Sequence, residues 1–335
     1  MPVGSRMVVC SLAVALMATA CQPSDEAAWK DFRARFVSSE GRVIDTGNQD
    51  ISHSEGQGYG MLFAERFGDR PTFDRIWGWT RSHLQVRPDK LLVWKWTPKE
   101  GITDRNDATD ADLIVAWALL RAGERWARPE LREEGMAIAQ DIRTHLVKRQ
   151  GELAYLLPAA QWFEHPDGDV VNLSYWVFPA LRDLAGIDPT GGWAQVAETG
   201  KVLLRKARFG RWGLPPDWLK LTATPSIAPD TKPRFGYDAV RIPLYLLWGG
   251  ETAADLLQPF RSYWGFFKGW PFLPDWTDLA ENSLDSYPAS PGIRAIAQAT
   301  LDPASAPPAW DPKQDYYSAS LSMLTRLSRA ERAGR

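Results

Sequence analysis

Asp110-Ala111-Asp112-Leu113-Ile114-Val115-Ala116-Trp117-Ala118-Leu119-Leu120-Arg121-Ala122-Gly123-Glu124-Arg125-Trp126 is the stretch that decides how this chain is read. Leu113, Ala116, Trp117, Leu120 and Trp126 fall largely on one helical face, so the spacing predicts a helix from Asp110 to Trp126. Thr109 or Asp110 suits its N-cap, where a short polar side chain can accept a free N–H of the first turn. Asp112 sits in that turn, at the positive end of the helix dipole.

The same periodicity recurs outward in both directions. Toward the N-terminus it predicts helices over Asp25–Ser38, Gly58–Phe67 and Pro71–Val86, the last with Pro71 in a first-turn position. Toward the C-terminus it predicts Leu131–Val147, Asn172–Leu184, Gly192–Ala207, Tyr237–Trp248, Thr252–Phe267, Pro291–Thr300 and Lys313–Arg332, with a short addition near Asp278–Asn282. Strand signals are confined to Leu91–Trp96 and Glu152–Leu156. The Pro-rich stretches Leu214–Pro233 and Asp302–Pro312 read as long surface loops, and no Gly/Ser linker divides the chain. The expected architecture is one all-α domain over residues 22–335. Helices in pairs, about twelve of them, suggest an (α/α)6 barrel with short strands in its loops.

Composition narrows the partners. A hydrophobic content of 44% supports a sizeable core, and a net charge of −2 without a dense basic block argues against nucleic acid. The 17 tryptophans stand out. More than half are expected in the core, where the indole buries a large area, leaving others to stack on sugar faces. Four His and the cysteines show no metal-ligand spacing, so neither metal nor cofactor is expected. A monomer is expected.

The first twenty residues have the form of a secretory leader. Arg6 supplies the charge, Met7 to Met17 the apolar run, and Ala18-Thr19-Ala20 the small residues before a cut. Cys21 follows directly, as in a bacterial lipoprotein precursor, although Ala18 stands where Leu is usual. Cleavage would remove Cys10 and leave no intramolecular disulfide. The reading is an exported protein, periplasmic or lipid-anchored through Cys21. Any membrane attachment would then come from that lipid alone.

Two further segments share the pattern of a carboxylate set just before an apolar helical run: Ser54-Glu55-Gly56-Gln57-Gly58-Tyr59-Gly60 and Gly236-Tyr237-Asp238-Ala239-Val240-Arg241. Singly, each acid has an ordinary explanation. Glu55 can be a loop glutamate beside a helix start. Asp110 can be a cap. Asp238 can open a helix and pair with Arg241 one turn on. Helix starts at one end of a ring would bring all three into one cleft, and paired carboxylates in an aromatic groove are what glycosidic cleavage requires.

Ala108 to Ala122, with Trp126 beyond, resembles the signature of glycoside hydrolase family 8, Val115 being a mild departure. Ser54 to Met61 and Tyr237 to Arg241 are similar to the family segments that bear its acid and base. Asn172-Leu173-Ser174-Tyr175-Trp176 resembles a third, with Leu173 where Pro is common. The resemblance runs from about Trp29 to Leu327 and is nearest to periplasmic endoglucanases that accompany bacterial cellulose synthases.

That resemblance implies an (α/α)6 barrel that cleaves a β-1,4-linked polysaccharide with inversion. Glu55 becomes the proton donor, Asp238 the base that activates water, and Asp110 the carboxylate that holds and distorts the sugar. Tyr237 and Arg241 would flank that sugar, and Tyr175 would join the binding surface. Trp94 is the stacking residue, with Trp96 equally permissible. Tyr316 or Tyr317 would close the cleft. Glu55 is expected to be kept protonated by burial and by Asp110, and Asp238 to stay ionised. The expected activity is that of an endo-β-1,4-glucanase, with the cellulose export machinery as an associated partner. Chitosanase, xylanase, β-1,3-1,4-glucanase and a non-catalytic glycan-binding lipoprotein are the alternatives.

Overall fold

The computed structural model describes residues 24–334, so the leader and Cys21 lie outside the described residues. Eleven α-helices occur among them. These are α1 (Asp25–Phe36), α2 (Ser54–Arg66), α3 (Arg70–His83), α4 (Thr109–Arg125), α5 (Pro129–His145), α6 (Phe178–Ile187), α7 (Trp193–Lys206), α8 (Ile242–Gly249), α9 (Ala254–Phe266), α10 (Pro291–Leu301) and α11 (Tyr316–Ala333). Strands of two or four residues sit between them.

Contacts close a ring through α2, α4, α6, α8, α10 and α11 and back to α2. Outside it, α3 backs α2, α5 backs α4, α7 backs α6, α9 backs α10 and α1 backs α11. This is the expected (α/α)6 barrel. The inner helix α4 is buried at every position from Thr109 to Leu120. The outer helices carry one apolar stripe: α1 buries Ala28, Trp29, Phe32 and Phe36.

The twelfth helix is absent for a chemical reason. Residues 302–315, between α10 and α11, contain Pro303, Pro307, Pro308 and Pro312, which lack the N–H a helix needs. That segment lies extended over its neighbours instead. Arg326 of α11 donates to the Pro308 carbonyl, and Trp310 Nε1 donates to Asp31 of α1 at 2.9 Å.

Helix starts follow local polar chemistry. Ser24, Asp69, Ser290 and Asp315 each accept a first-turn N–H through their side chains. Two starts differ from expectation. Helix α2 begins at Ser54, because His53 Nδ1 accepts the Gly56 N–H at 3.0 Å, so Glu55 is helical and not in a loop. Helix α4 has no side-chain cap: its N-cap is Ala108, and the Asp110 carboxylate accepts only from the adjacent Ala111 N–H.

Other elements shift as well. Tyr237–Trp248 divides into a 3-10 turn at Ala239–Arg241 and then α8. Asn172–Leu184 likewise becomes a 3-10 turn at Leu173–Tyr175 followed by α6. Asp278–Asn282 forms no helix. Thr277–Asp278 pairs with Arg234–Phe235 as a short antiparallel strand, and Asn282 takes φ 60° in the turn. Of the expected strand Leu91–Trp96, only Lys95–Trp96 pairs, against Ser52–His53. Leu153–Leu156 forms a hairpin with Val147–Gln150. Nine of the 17 tryptophans are buried, so the core takes just over half.

Candidate active site

One cleft of about 280 Å³ opens at the end of the ring where α2 and α4 begin. Glu55, Asp110 and Asp238 all line it, with Trp94, Tyr175, Arg241, Tyr316 and Tyr317. Glu55 comes from the first turn of α2, Asp110 from the first turn of α4, and Asp238 from the residue before the 3-10 turn. The predicted convergence of three sequence-distant carboxylates is therefore present in space.

Arg241 is the centre of that convergence. Its side chain is buried, and its guanidinium contacts Glu55, approaches Asp110 Oδ2 at 3.6 Å and binds Asp238 Oδ1 at 2.9 Å. It also donates to the Tyr59 and Ser174 hydroxyls at 3.1 and 3.0 Å. A planar five-donor cation can serve several acceptors at once, which a lysine cannot. Tyr59 in turn donates to Glu55 Oε1 at 2.9 Å and shares a hydrogen bond with Tyr245.

The charges are unequal: three carboxylates face one arginine. Burial, then the nearby Asp238, pushes the Asp110 carboxyl well above its usual range. Burial, then the anion of Asp217, pushes Asp238 up to about 7. The Asp238 carboxyl is thereby raised, and Glu55 and Asp238 are comparably open, with side chains 24% and 31% exposed beside Arg241. Burial thus favours the protonated form of Asp110 most strongly and raises Asp238 toward neutrality.

The aromatic residues separate into wall and bystander. The Trp94 ring faces the cleft, its Nε1 bound to Asp104 at 2.7 Å and the Lys95 ammonium 4.6 Å from its centroid. Trp96 is not in the cleft. It packs edge-on to Trp79 with the Arg42 guanidinium against its ring, and it lies in the short strand opposite Ser52, whereas Trp94 precedes that strand. Tyr175 and Tyr317 form wall, and burial raises both phenols well above their ordinary range.

Tyr317 donates to the Tyr237 carbonyl at 2.7 Å, tying α11 to the turn that bears Asp238. Tyr237 itself does not line the cleft. Its ring is 38% exposed, edge-on to Tyr317 and under the Arg234 guanidinium. Tyr316 is buried between Phe36 and His53, a wall support more than a closing lid. Gly56 makes room for it, since a Cβ there would meet the Tyr316 hydroxyl at 2.4 Å. Gly58 similarly admits Ile114 of α4, so these glycines bring protein segments together.

Sequence reasoning missed Tyr59, Ser174, Asp112 and Asp217. Tyr59 and Ser174 stood inside segments already singled out. Asp112 is fully buried and accepts the Leu92 N–H at 2.8 Å, so it fastens the loop that bears Trp94. Asp217 lay in a Pro-rich stretch read as surface loop. Among the described residues, no group of three or more His, Cys, Asp or Glu could hold a metal ion.

Comparison with known proteins agrees with this geometry. The sequence profile of Glycosyl hydrolases family 8 matches residues 1–331. A probable endoglucanase of Novacetimonas hansenii is 43% identical over 90% of each chain. The structure of endo-β-1,4-glucanase CMCax from Acetobacter xylinum superposes with a TM-score of 0.88 at 42% identity, covering 93% of this chain and 99% of that one. An endoglucanase from Komagataeibacter sucrofermentans does so with 0.88 at 40% identity, covering 92% and 98%. With three carboxylates gathered in one aromatic cleft and a profile match over nearly its whole length, this chain belongs to glycosyl hydrolase family 8.

Proposed function

We propose that this protein is an endo-β-1,4-glucanase that cleaves internal β-1,4-glucosidic bonds with inversion, using Glu55 as acid, Asp238 as base and Asp110 as the sugar-holding carboxyl. The observation that carries the reading is the meeting of these three side chains on one guanidinium in a cleft walled by Trp94, Tyr175 and Tyr317. The endoglucanase relatives at 40% identity or more support the substrate class.

An inverting hydrolase protonates the leaving oxygen on one side of the scissile bond and attacks with water from the other, its carboxyls separated by roughly 6.5–9.5 Å. A glucan chain entering the cleft would take the place that Arg241 holds beside Glu55, freeing that carboxyl to meet the glycosidic oxygen. Asp238 is pushed up to about 7, so it is basic enough to draw a proton from water near neutral pH. Burial favours the protonated form of Asp110, which can both donate to and accept from a sugar hydroxyl. Arg241 would then hold Asp238 and the sugar in register.

The enzyme acts outside the cytoplasm in this reading, released by cleavage before Cys21 or anchored there by lipid. Arg6, the apolar run to Met17 and the small residues before Cys21 support it. Trimming of a β-glucan during export follows from the resemblance to synthase-associated endoglucanases. The mass of the mature N-terminus, read from purified envelope fractions, tests the anchor.

The activity test is reducing-end release from carboxymethylcellulose beside xylan, chitosan and mixed-linkage glucan. Carboxymethylcellulose should be the preferred substrate. Glu55→Gln should lose turnover while still binding cello-oligosaccharides. Preference for another polymer, or near-normal activity of Glu55→Gln, would reject the reading.

A further inference from the structure

We propose that Asp217 is the positioning residue of the base: a carboxylate buried behind the Gly236–Ala239 turn that fixes where Asp238 points. The inference rests on Asp238 being the base.

Asp217 is 2% exposed. Its Oδ1 accepts three backbone N–H groups, from Gly236 at 3.1 Å, Asp238 at 3.3 Å and Ala239 at 2.9 Å. Its Oδ2 accepts Arg234 Nε at 2.9 Å, and its own N–H donates to the Arg234 carbonyl at 2.9 Å. One oxygen therefore gathers the backbone on both sides of the base. Asp238 makes no capping hydrogen bond of its own, so the turn depends on this outside acceptor.

The sequence is fitted to the arrangement. A Cβ on Gly236 would lie 3.0 Å from Asp217 Oδ2 and 2.9 Å from Arg234 Nε, so any larger residue would push the carboxylate away. Behind it, Arg234–Phe235 is paired with Thr277–Asp278, which gives the anchor a fixed base.

Position and charge act together. The Asp217 anion is, after burial, the chief cause that raises Asp238, while Arg234 acts in the opposite sense. The other groups facing Asp238 are Arg241 from its own turn, Asp110 from α4, Tyr317 from α11, and Tyr175 and Asn172 from the 3-10 turn before α6. A scaffold residue that merely held the loop would not control the pH at which the base ionises.

The experiment measures kcat, KM and the pH profile of kcat/KM on cellopentaose, with thermal melts, for wild type, Asp217→Asn, Arg234→Gln and Asp238→Asn. Asp217→Asn keeps an acceptor oxygen for the turn but removes the charge. It should lower kcat about tenfold, because a neutral amide holds the three N–H groups and Arg234 less firmly than a carboxylate and lets the base drift, with little change in KM. Its acid limb should move down by roughly one pH unit, because a base relieved of a neighbouring anion ionises earlier. Arg234→Gln should move the limb up. Limbs that stay in place, or that move the same way in both variants, would overturn the proposal. If Asp217→Asn fails to fold, Arg234→Gln alone decides, and an unmoved limb overturns it. An active Asp238→Asn would instead overturn the reading of the base, whereas an inactive one with an unmoved Asp217→Asn limb overturns only the role of Asp217.

Discussion

The two ends of the helical ring both carry arginine–carboxylate clusters, and they differ in charge balance. At the open end, Glu55, Asp110 and Asp238 face the single Arg241. At the far end, where α2, α4 and α11 finish, Arg121 binds Glu65 and Glu331 at 2.8 and 2.6 Å, and Arg125 binds Glu65 at 3.3 Å. Trp117 and Trp248 donate to Asp183 and Glu331 there, and Arg182 caps Asp183. Among the described residues, this cluster sets Arg121, Arg125 and Arg182 against Glu65, Glu331 and Asp183. Burial pulls the Arg121 guanidinium down, but Glu65 and Glu331 outweigh it and leave Arg121 more firmly protonated. In the cleft, burial drives Asp110 and Asp238 up, reinforced by the charge of Asp238 on the one and of Asp217 on the other. Matched charge closes the barrel at one end, and at the other buried, unequally paired carboxyls are raised above their ordinary range.

Matched substitutions at the two ends give the sharpest way to break this contrast. Asp238→Asn should lower kcat by about 10²–10⁴-fold, the range for removing a general base, without lowering Tm. Glu65→Gln should leave kcat alone and lower Tm, since it leaves Arg121 short of a partner. A Tm loss in the first, or a kcat loss in the second, would merge the two ends into one structural network.

Tryptophan substitutions come next. Trp117→Ala at the far end removes a fully buried indole and should cost about 3–5 kcal/mol in a denaturant titration, with KM unchanged. Trp94→Ala in the cleft should cost little stability and raise KM for long cello-oligosaccharides several-fold. Unfolding of Trp94→Ala would assign that ring to the core.

Arginine substitutions follow. Arg121→Met should cost about 1–3 kcal/mol of stability, because its side chain is still 20% exposed and the stranded glutamates keep some water. Arg241→Lys should keep its Tm and lose most of its turnover, as an ammonium cannot span three acceptors.

The smallest effect is expected at Asp112. Burial, then Asp107, raises this carboxyl well above its usual value, so the folded state favours its protonated form. The stability it contributes is complete at low pH and is lost as pH rises through the folded value. Asp112→Asn keeps the acceptor for Leu92 and cannot ionise. Its Tm should match wild type in acid and exceed it increasingly toward alkaline pH.

Much of the fold and the membership of the cleft could be read in advance, the far-end cluster could not, and the misses have physical causes. The apolar spacing of α4 disclosed a helix with one apolar face, but not that packing buries every position from Thr109 to Leu120. Glu55 was placed in a loop because three glycines disfavour a helix by propensity, whereas packing against Ile114 and a cap from His53 override that preference. Trp94 and Trp96 were indistinguishable because pairing with Ser52–His53, which sets their surroundings, is a long-range contact. Asp217 was invisible because its partners lie 17 to 22 residues away, across a Pro-rich stretch whose composition resembles exposed loop. The sign of the charge imbalance was equally hidden, since it depends on which acids share Arg241.

The most direct test of two carboxylates acting from opposite faces of a glucan is the anomer of the first product, followed by NMR during early cleavage of cellopentaose. The account predicts α-configured reducing ends that later mutarotate toward equilibrium. Reducing ends that appear first in the β-configuration would contradict it.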